Sequence, residues 1–498
     1  MTPIDWTILG VYAVSTLGLG WFFGRKQKST KEYFVGSGKM NPFIIGVSLF
    51  ATLLSTITYL AVPGEVLGKG PIYLSNYLAY PFVYLTIGYI LLPVYMRQKV
   101  TSAYELLEER LGLSIRLLGA TMFLMLRLVW MSLLVYLTAK AIAIMIGASD
   151  DMVPVIALVT GTFAIAYTSM GGLRAVVITD MLQTLLLYGG ALLVIGTITF
   201  KMGGFGWFPS EWQHEVWDVQ PVFSLDPSTR ITIVGSIVSV FLFIVCTAAG
   251  DQVSIQRFMS TRDAKAARKA IAVQLTVGMI VGTTLGVVGL ALLGYFQTNP
   301  GNLPLDLPLK EQADKLFPHY IAFHLPPIVT GLVVSGLFAA AMSSVDSGVN
   351  SITAVVLTDF LGRLRSKPNS KEAQIQFARK LAVGIGVVVV SLSSLIKYIP
   401  GNFFGITNRV VNLLTVPIAL LFIFALFVPF ANAKGVWIGV ICSVVCAILV
   451  SFSGVIFGTN PQTGQDLISF QFITPVAFVV GLSVGLIACK IFTERKVS

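Results

Sequence analysis

The chain has 498 residues, of which 55% are hydrophobic and 11% charged, with a formal net charge of +11 at pH 7 and a mean hydropathy of +0.83. Soluble domains carry about 25% charged residues, so a water-soluble protein of one or several domains is excluded. Disorder and a collagen are excluded on the same grounds, and four cysteines make no disulfide scaffold. Cys246, Cys442, Cys446 and Cys489 lie in or beside apolar runs and read as buried thiols. His214, His319 and His324 fall in polar connections without metal-ligand spacing.

A bilayer core of about 30 Å needs about 20 apolar residues per helix. Thirteen such runs follow in chain order: 5–24, 43–65, 73–97, 115–147, 153–169, 175–200, 229–250, 270–297, 326–350, 380–397, 408–430, 435–456 and 469–490. They are continuous, unlike the alternating segments of about ten residues in a membrane β-barrel. An all-α polytopic membrane protein is expected, with residues 1–498 forming a single membrane domain. The positive charges beside run 5–24 follow it instead of preceding it, so it reads as a retained span and not a secretory signal.

Lysine and arginine placement predicts the orientation. With the N-terminus outside and the C-terminus cytoplasmic, the inner connections hold most of the 34 basic residues, including Lys26, Arg116, Arg174, Arg257, Arg262, Arg379 and Lys490. The outer side holds few, among them Lys69, Lys201 and Arg230. The excess charge then lies beside anionic inner-leaflet lipid and implies no nucleic-acid partner. A plasma membrane or bacterial inner membrane is the expected location.

No phosphate loop ending in Lys-Ser/Thr, no HExxH and no GxSxG is present, and Gly64–Gly70 lacks the hydroxyl residue of a phosphate loop. No nucleotide, and no enzyme chemistry, is therefore expected. An ion gradient is the remaining energy source, worth about 2.3 kcal/mol per charge per 100 mV.

Polar clusters inside spans carry the remaining information. Span 2 crowds Ser48, Thr52, Ser55, Thr56 and Thr58 ahead of Pro63-Gly64. Such residues can pack helices or bond to the preceding turn, but this density predicts an interrupted helix lining a wet site. In span 9, Ala340, Ser343, Ser344 and Ser347 share one face. That stripe suits close packing, or oxygen ligation of a hard monovalent cation. Asp180 in span 6 and Asp346 in span 9 are charged groups that cost at least about 2.5–3.5 kcal/mol in a span and mark pathways. Lys140, near the outer end of span 4, reads as a snorkelling side chain. Arg127, deeper in the same span, has two readings, an inner-side anchor or a site residue.

KEYFVGSGKM at 31–40, span 2, TSAYELLEERLG at 101–112, SMGGLRAVVITDMLQ at 169–183, DQVSIQRFMS at 251–260 and AAAMSS at 339–344 together resemble the sodium/solute symporter family, nearest its monocarboxylate, multivitamin, iodide and sialic-acid branches. The resemblance implies a LeuT-type fold with two five-helix inverted repeats, 43–200 and 229–430. An extra N-terminal helix (5–24) and two C-terminal helices (435–490) flank them. It implies a secondary active symporter that takes up a small solute with co-transported Na+ by alternating access. The partners are then solute, sodium and lipid, with no obligatory protein partner evident. A transport-derived sensor would need a signalling domain, and a channel a pore loop.

The resemblance maps sodium onto the backbone oxygens of Ala51 and Leu54, the Ala340 carbonyl and the Ser343 and Ser344 hydroxyls. A second cation position falls on Asp180, Ser343, Asp346 and Ser347, where Asp346 replaces the family's usual serine. Sugar carriers of the family place amide or acidic groups where this chain has Leu53, Ile57 and Thr58, which argues against hexoses. The sialic-acid pattern is kept at Ser55, Thr58 and Asn76, but its carboxylate-binding arginine falls on Trp130, with Arg127 one turn away. TYLAVPGEV resembles the monocarboxylate, multivitamin and iodide branch. A small organic anion is expected, touched by Ser55, Thr58, Asn76, Arg127, Trp130 and Asn412.

Overall fold

A backbone in lipid must satisfy its N–H and C=O groups internally, and the apolar runs of this chain do so as helices. A computed structural model describes residues 1–24, 38, 40–54, 56–97, 102–305, 308–361, 371–396, 403–460 and 465–492, without side chains at 20, 57, 167–172, 371–372 and 403–406. The helices in chain order are α1 (Pro3–Gly24), α2 (Pro42–Leu53), α3 (Thr56–Lys69), α4 (Pro71–Tyr95), α5 (Glu105–Leu111), α6 (Leu113–Ile146), α7 (Val153–Lys201) and α8 (Ile233–Gly250). There follow α9 (Gln252–Met259), α10 (Ala264–Thr298), α11 (Leu309–Phe323), α12 (Val329–Leu361), α13 (Lys371–Ser393), α14 (Phe403–Phe427), α15 (Ala433–Ser451) and α16 (Ile473–Ile491). Among the described residues the extended structure is one isolated bridge, Thr459 with Asp466. Ten of these helices are long and apolar enough to cross a membrane, and the bent pair α2–α3 makes an eleventh candidate.

Two interruptions shape the interior. Helix α2 stops at Leu54, whose backbone is extended (φ −82°, ψ 110°), and α3 leaves at 64° to it. Helix α8 stops at Asp251 in nearly the same conformation (φ −88°, ψ 119°), and α9 begins at once. A break exposes the last carbonyls of one helix and the first N–H groups of the next. Asp251 caps α9 by accepting the Val253 N–H at 2.9 Å. At the first break the Thr56 hydroxyl donates to the Leu337 carbonyl on α12 at 3.3 Å. Close backbone approach locks the surroundings: a Cβ at Gly289 would meet the Pro63 carbonyl oxygen at 2.4 Å, so α10 can lie against α3 only with glycine there.

Spans 153–169 and 175–200 follow one another within α7, and Phe163 and Leu187 both meet the same turn of α12, at Phe338 and Gly336, so the two halves run side by side. The structure departs from the expected layout in two places. The expected cytoplasmic connection 251–260 is instead the buried helix α9, because its Gln252, Gln256 and Arg257 find polar partners inside. Between the expected spans 270–297 and 326–350, where a polar connection was expected, α11 buries Leu316, Phe317, Tyr320 and Ile321 and packs on α3. The cysteines are free thiols, but Cys442 and Cys446 are only half-buried.

Candidate functional site

The break after α2 faces α12, and it is there that the expected sodium ligands meet. Ala51, Leu54, Ala340, Ser343 and Ser344 are all buried. The Ser344 hydroxyl donates to the Thr52 carbonyl at 3.4 Å, tying the face of α12 to the open end of α2. Carbonyl and hydroxyl oxygens with little formal charge suit a hard monovalent cation. Among the described residues no cluster of three His, Cys, Asp or Glu side chains offers a transition-metal site.

Directly beside this break lies a buried polar network. Asp180 on α7 accepts hydrogen bonds from Ser48, from Ser343 at 2.5 Å and from Arg257 Nη2 at 3.3 Å. Arg257 Nε donates to the Ser48 hydroxyl at 2.9 Å, and Nη2 donates to Ser347 at 2.6 Å. Ser347 and Thr52 pair through their hydroxyls at 3.0 Å. Asp346, one turn beyond Ser343, is buried as well. Three of the four residues expected around a second cation therefore belong to one cluster, and the Arg257 guanidinium reaches into it. The sequence reading placed Arg257 on the cytoplasmic surface; it is fully buried because Asp180 compensates its charge. The available signal was Asp180 itself, since a carboxylate in a span calls for a cation.

Next to these expected ion ligands, α2, α3, α4, α6, α8, α10 and α14 line a cavity of about 290 Å³. Thr58, Asn76, Arg127, Trp130 and Asn412 all line it, whereas Ser55 lies outside the described residues. Thr52 and Leu54 line the cavity too, so the helix break is shared between the two sites. Asn76 accepts the Ser236 hydroxyl and also pairs with the Tyr73 side chain on the cavity wall. Arg127 proves to be a cavity residue, and its Nη2 is engaged by the Asp251 carboxylate. The sequence reading missed Asp251, Gln274 and the tyrosines of α4 (Tyr73, Tyr77, Tyr80), which also line the space.

Further ion pairs tie the ends of these helices to their neighbours. Arg230 holds Glu65 at the far end of α3 through a two-point pair, its Nη2 at 2.8 Å, and Asp218 takes Lys310 at 2.5 Å and Lys69 at 3.5 Å. At the opposite end Arg116 binds Asp359 on α12 at 2.6 Å and Glu108 on α5 at 2.7 Å, and Ser102 donates to Asp359 at 2.6 Å.

A broken helix set against a hydroxyl-bearing helix, beside a cavity lined by polar and aromatic side chains, is the arrangement of an ion-coupled secondary transporter. The chain belongs to the sodium:solute symporter family, whose profile matches residues 33–443. It is 28% identical to the sodium/sialic acid symporter SiaT of Proteus mirabilis, over 99% of this chain and 96% of that one. It is 27% identical to sodium-coupled monocarboxylate transporter 1 of Mus musculus, over 89% of this chain and 71% of the relative. A substrate-bound, outward-open structure of a Na+-coupled sialic acid symporter superposes with a TM-score of 0.84 at 26% identity, covering 99% of this chain and 98% of the other. The protein is thus a multi-pass, LeuT-type, sodium-coupled solute symporter and not an enzyme.

Proposed function

We propose that the protein imports a small organic acid with sodium across a plasma or bacterial inner membrane. Ala51, Leu54, Ala340, Ser343 and Ser344 hold the ion, and Thr58, Asn76, Arg127, Trp130 and Asn412 touch the solute. The observation that carries this is the shared break: Thr52 and Leu54 border the cavity, and Thr52 is tied to Ser344. Sodium bridging α2 and α12 would set the shape of the solute wall, so each ligand favours the conformation that the other needs. Sialic-acid-like and monocarboxylate solutes are the first candidates, by analogy with the named relatives.

The finer architecture belongs to the same proposal. Thirteen spans hold two inverted five-helix repeats, 43–200 and 229–430. The matching backbone at Leu54 and Asp251, near the starts of the two units, supports that symmetry. The N-terminus lies outside and the C-terminus in the cytoplasm, as the basic residues suggest. Asp180, Asp346 and Ser347 form a second cation position, and no obligatory protein partner is required.

The test is uptake by proteoliposomes under an imposed sodium gradient. Accumulation of an organic acid with inward sodium, lost when potassium replaces sodium, is the expected result. Equal uptake with either cation would overturn the proposal.

A further inference from the structure

The two opposite charges lining the solute cavity are paired with each other. Arg127 on α6 and Asp251, between α8 and α9, are both buried, and Nη2 of the one meets Oδ2 of the other. The guanidinium is not fully used by this contact: its Nε is buried without a hydrogen-bond partner among the described residues. Asn412 Oδ1, also on the cavity wall and buried, is in the same condition. The site thus keeps one strong donor and one acceptor open, next to a carboxylate already shared with an arginine. The walls around them include the aromatic side chains of Tyr73, Tyr77, Trp130 and Phe243.

This arrangement discriminates between solutes by charge. A simple anion that takes Arg127 competes with Asp251. Wherever it draws the guanidinium away, it leaves a buried carboxylate without its counter-charge, which is strongly unfavourable. A solute that brings its own ammonium group supplies a replacement partner for Asp251, and the aromatic faces attract that ammonium as well. We infer that the cavity takes a small zwitterion of the amino-acid or betaine class, with its carboxylate on Arg127 and its ammonium on Asp251. The inference rests on the symporter reading above but replaces its first candidates, plain organic acids, by an acid that also carries a cation.

The position of Asp251 gives such a contact a route to the ion site. Its Oδ1 caps α9 at the Val253 N–H, and α9 carries Arg257 into the Asp180 cluster. An ammonium on Asp251 therefore acts at the N-terminus of the helix that reaches the cation ligands.

The experiment is thermal stabilisation of the full-length protein, with and without sodium, by paired probes. Each amino acid or betaine is compared with the same acid lacking nitrogen (proline with cyclopentanecarboxylate, for example), and N-acetylneuraminate is added as a large anion without an ammonium. A sodium-dependent zwitterion that binds at least about tenfold more tightly than its nitrogen-free partner is expected. Asp251→Asn should erase that preference, while Arg127→Gln should weaken both members of the pair. Nitrogen-free acids or N-acetylneuraminate binding as tightly as the best zwitterion would overturn the inference. So would stabilisation by sodium with no response to any zwitterion. If Asp251→Asn fails to fold, the wild-type pairs still decide. A zwitterion that binds equally well without sodium leaves this inference standing and fails the sodium reading instead.

Discussion

Asp180 and Arg257 stand 77 residues apart in the chain and meet fully buried, guanidinium Nη2 to carboxylate at 3.3 Å. The pair joins α7 to α9, and through Ser48 and Ser347 it also fastens α2 and α12. Four helices that border the ion site are thus held by one charge pair and its hydroxyls. Burying two ions gains little over a well-packed apolar pair, but removing either partner strands the other.

Single substitutions at this pair should therefore destabilise strongly. Asp180→Asn or Arg257→Gln is expected to cost about 3–5 kcal/mol, the usual penalty for breaking a buried pair. The double variant should lose far less than the sum of the two. A thermal-denaturation cycle in detergent measures the coupling, and additive losses would show that the two charges do not depend on each other.

The proposed sodium ligands make a sharper functional prediction. Ser343→Ala with Ser344→Ala removes two hydroxyl oxygens from a buried face of α12 while leaving its packing volume nearly unchanged. Sodium-driven uptake should disappear, and the protein should remain folded in membranes. Because Ser343 also donates to Asp180, some loss of stability of about 1 kcal/mol is expected in addition. Unchanged sodium dependence in the double variant would remove these serines from the site.

Much of this arrangement could be read from residue patterns because membranes restrict the choices. Continuous apolar runs located the helices, and the hydroxyl density before Pro63 located the break in span 2. The face of Ala340, Ser343, Ser344 and Ser347 followed from helical spacing alone. The second break was hidden, since the apolar run simply ends at Gly250 and the polar residues after it resemble an ordinary loop. Arg257 was misplaced for the same reason: a basic residue past the end of a span is usually solvated, and only its distant partner Asp180 makes burial tolerable. The Arg127–Asp251 pair is likewise a contact between segments far apart in sequence, which no local spacing signals.

The cap that α11 forms over α3 should be sensitive to pH. His319 and His324 meet edge to face with ring centroids 5.3 Å apart, and burial pushes both imidazoles below their ordinary value of 6.5. The folded cap therefore favours the neutral rings, while the opened cap takes up protons from about pH 6.5 downward. Stability from these groups is complete above that pH and declines as the pH falls through it. Hydrogen exchange in Leu309–Phe323, corrected for its intrinsic pH dependence, should quicken on acidification, and His319→Gln with His324→Gln should flatten the trend. A cap whose opening does not change with pH would show that the histidines stay neutral throughout.

The remaining question at the cation site is what accompanies Asp346. It is buried on α12 between the turns of Ser343 and Ser347, and Arg257 is already shared with Asp180. Asp180 and Asp346 both act on the Arg257 guanidinium, and a second sodium ion or a proton held between them would lower their mutual repulsion. The two cases differ in what is measured. A second sodium makes uptake depend on sodium with a Hill coefficient above one, and Asp346→Ser, which restores the hydroxyl common in the family, should keep transport. A proton makes uptake depend on pH, and Asp346→Asn, which holds the neutral shape, should flatten that dependence while leaving sodium saturation hyperbolic. Uptake by the wild type and both variants, measured across sodium concentration and pH, separates these outcomes. Hyperbolic sodium dependence with no pH effect in any of the three would confine Asp346 to a structural role beside Arg257.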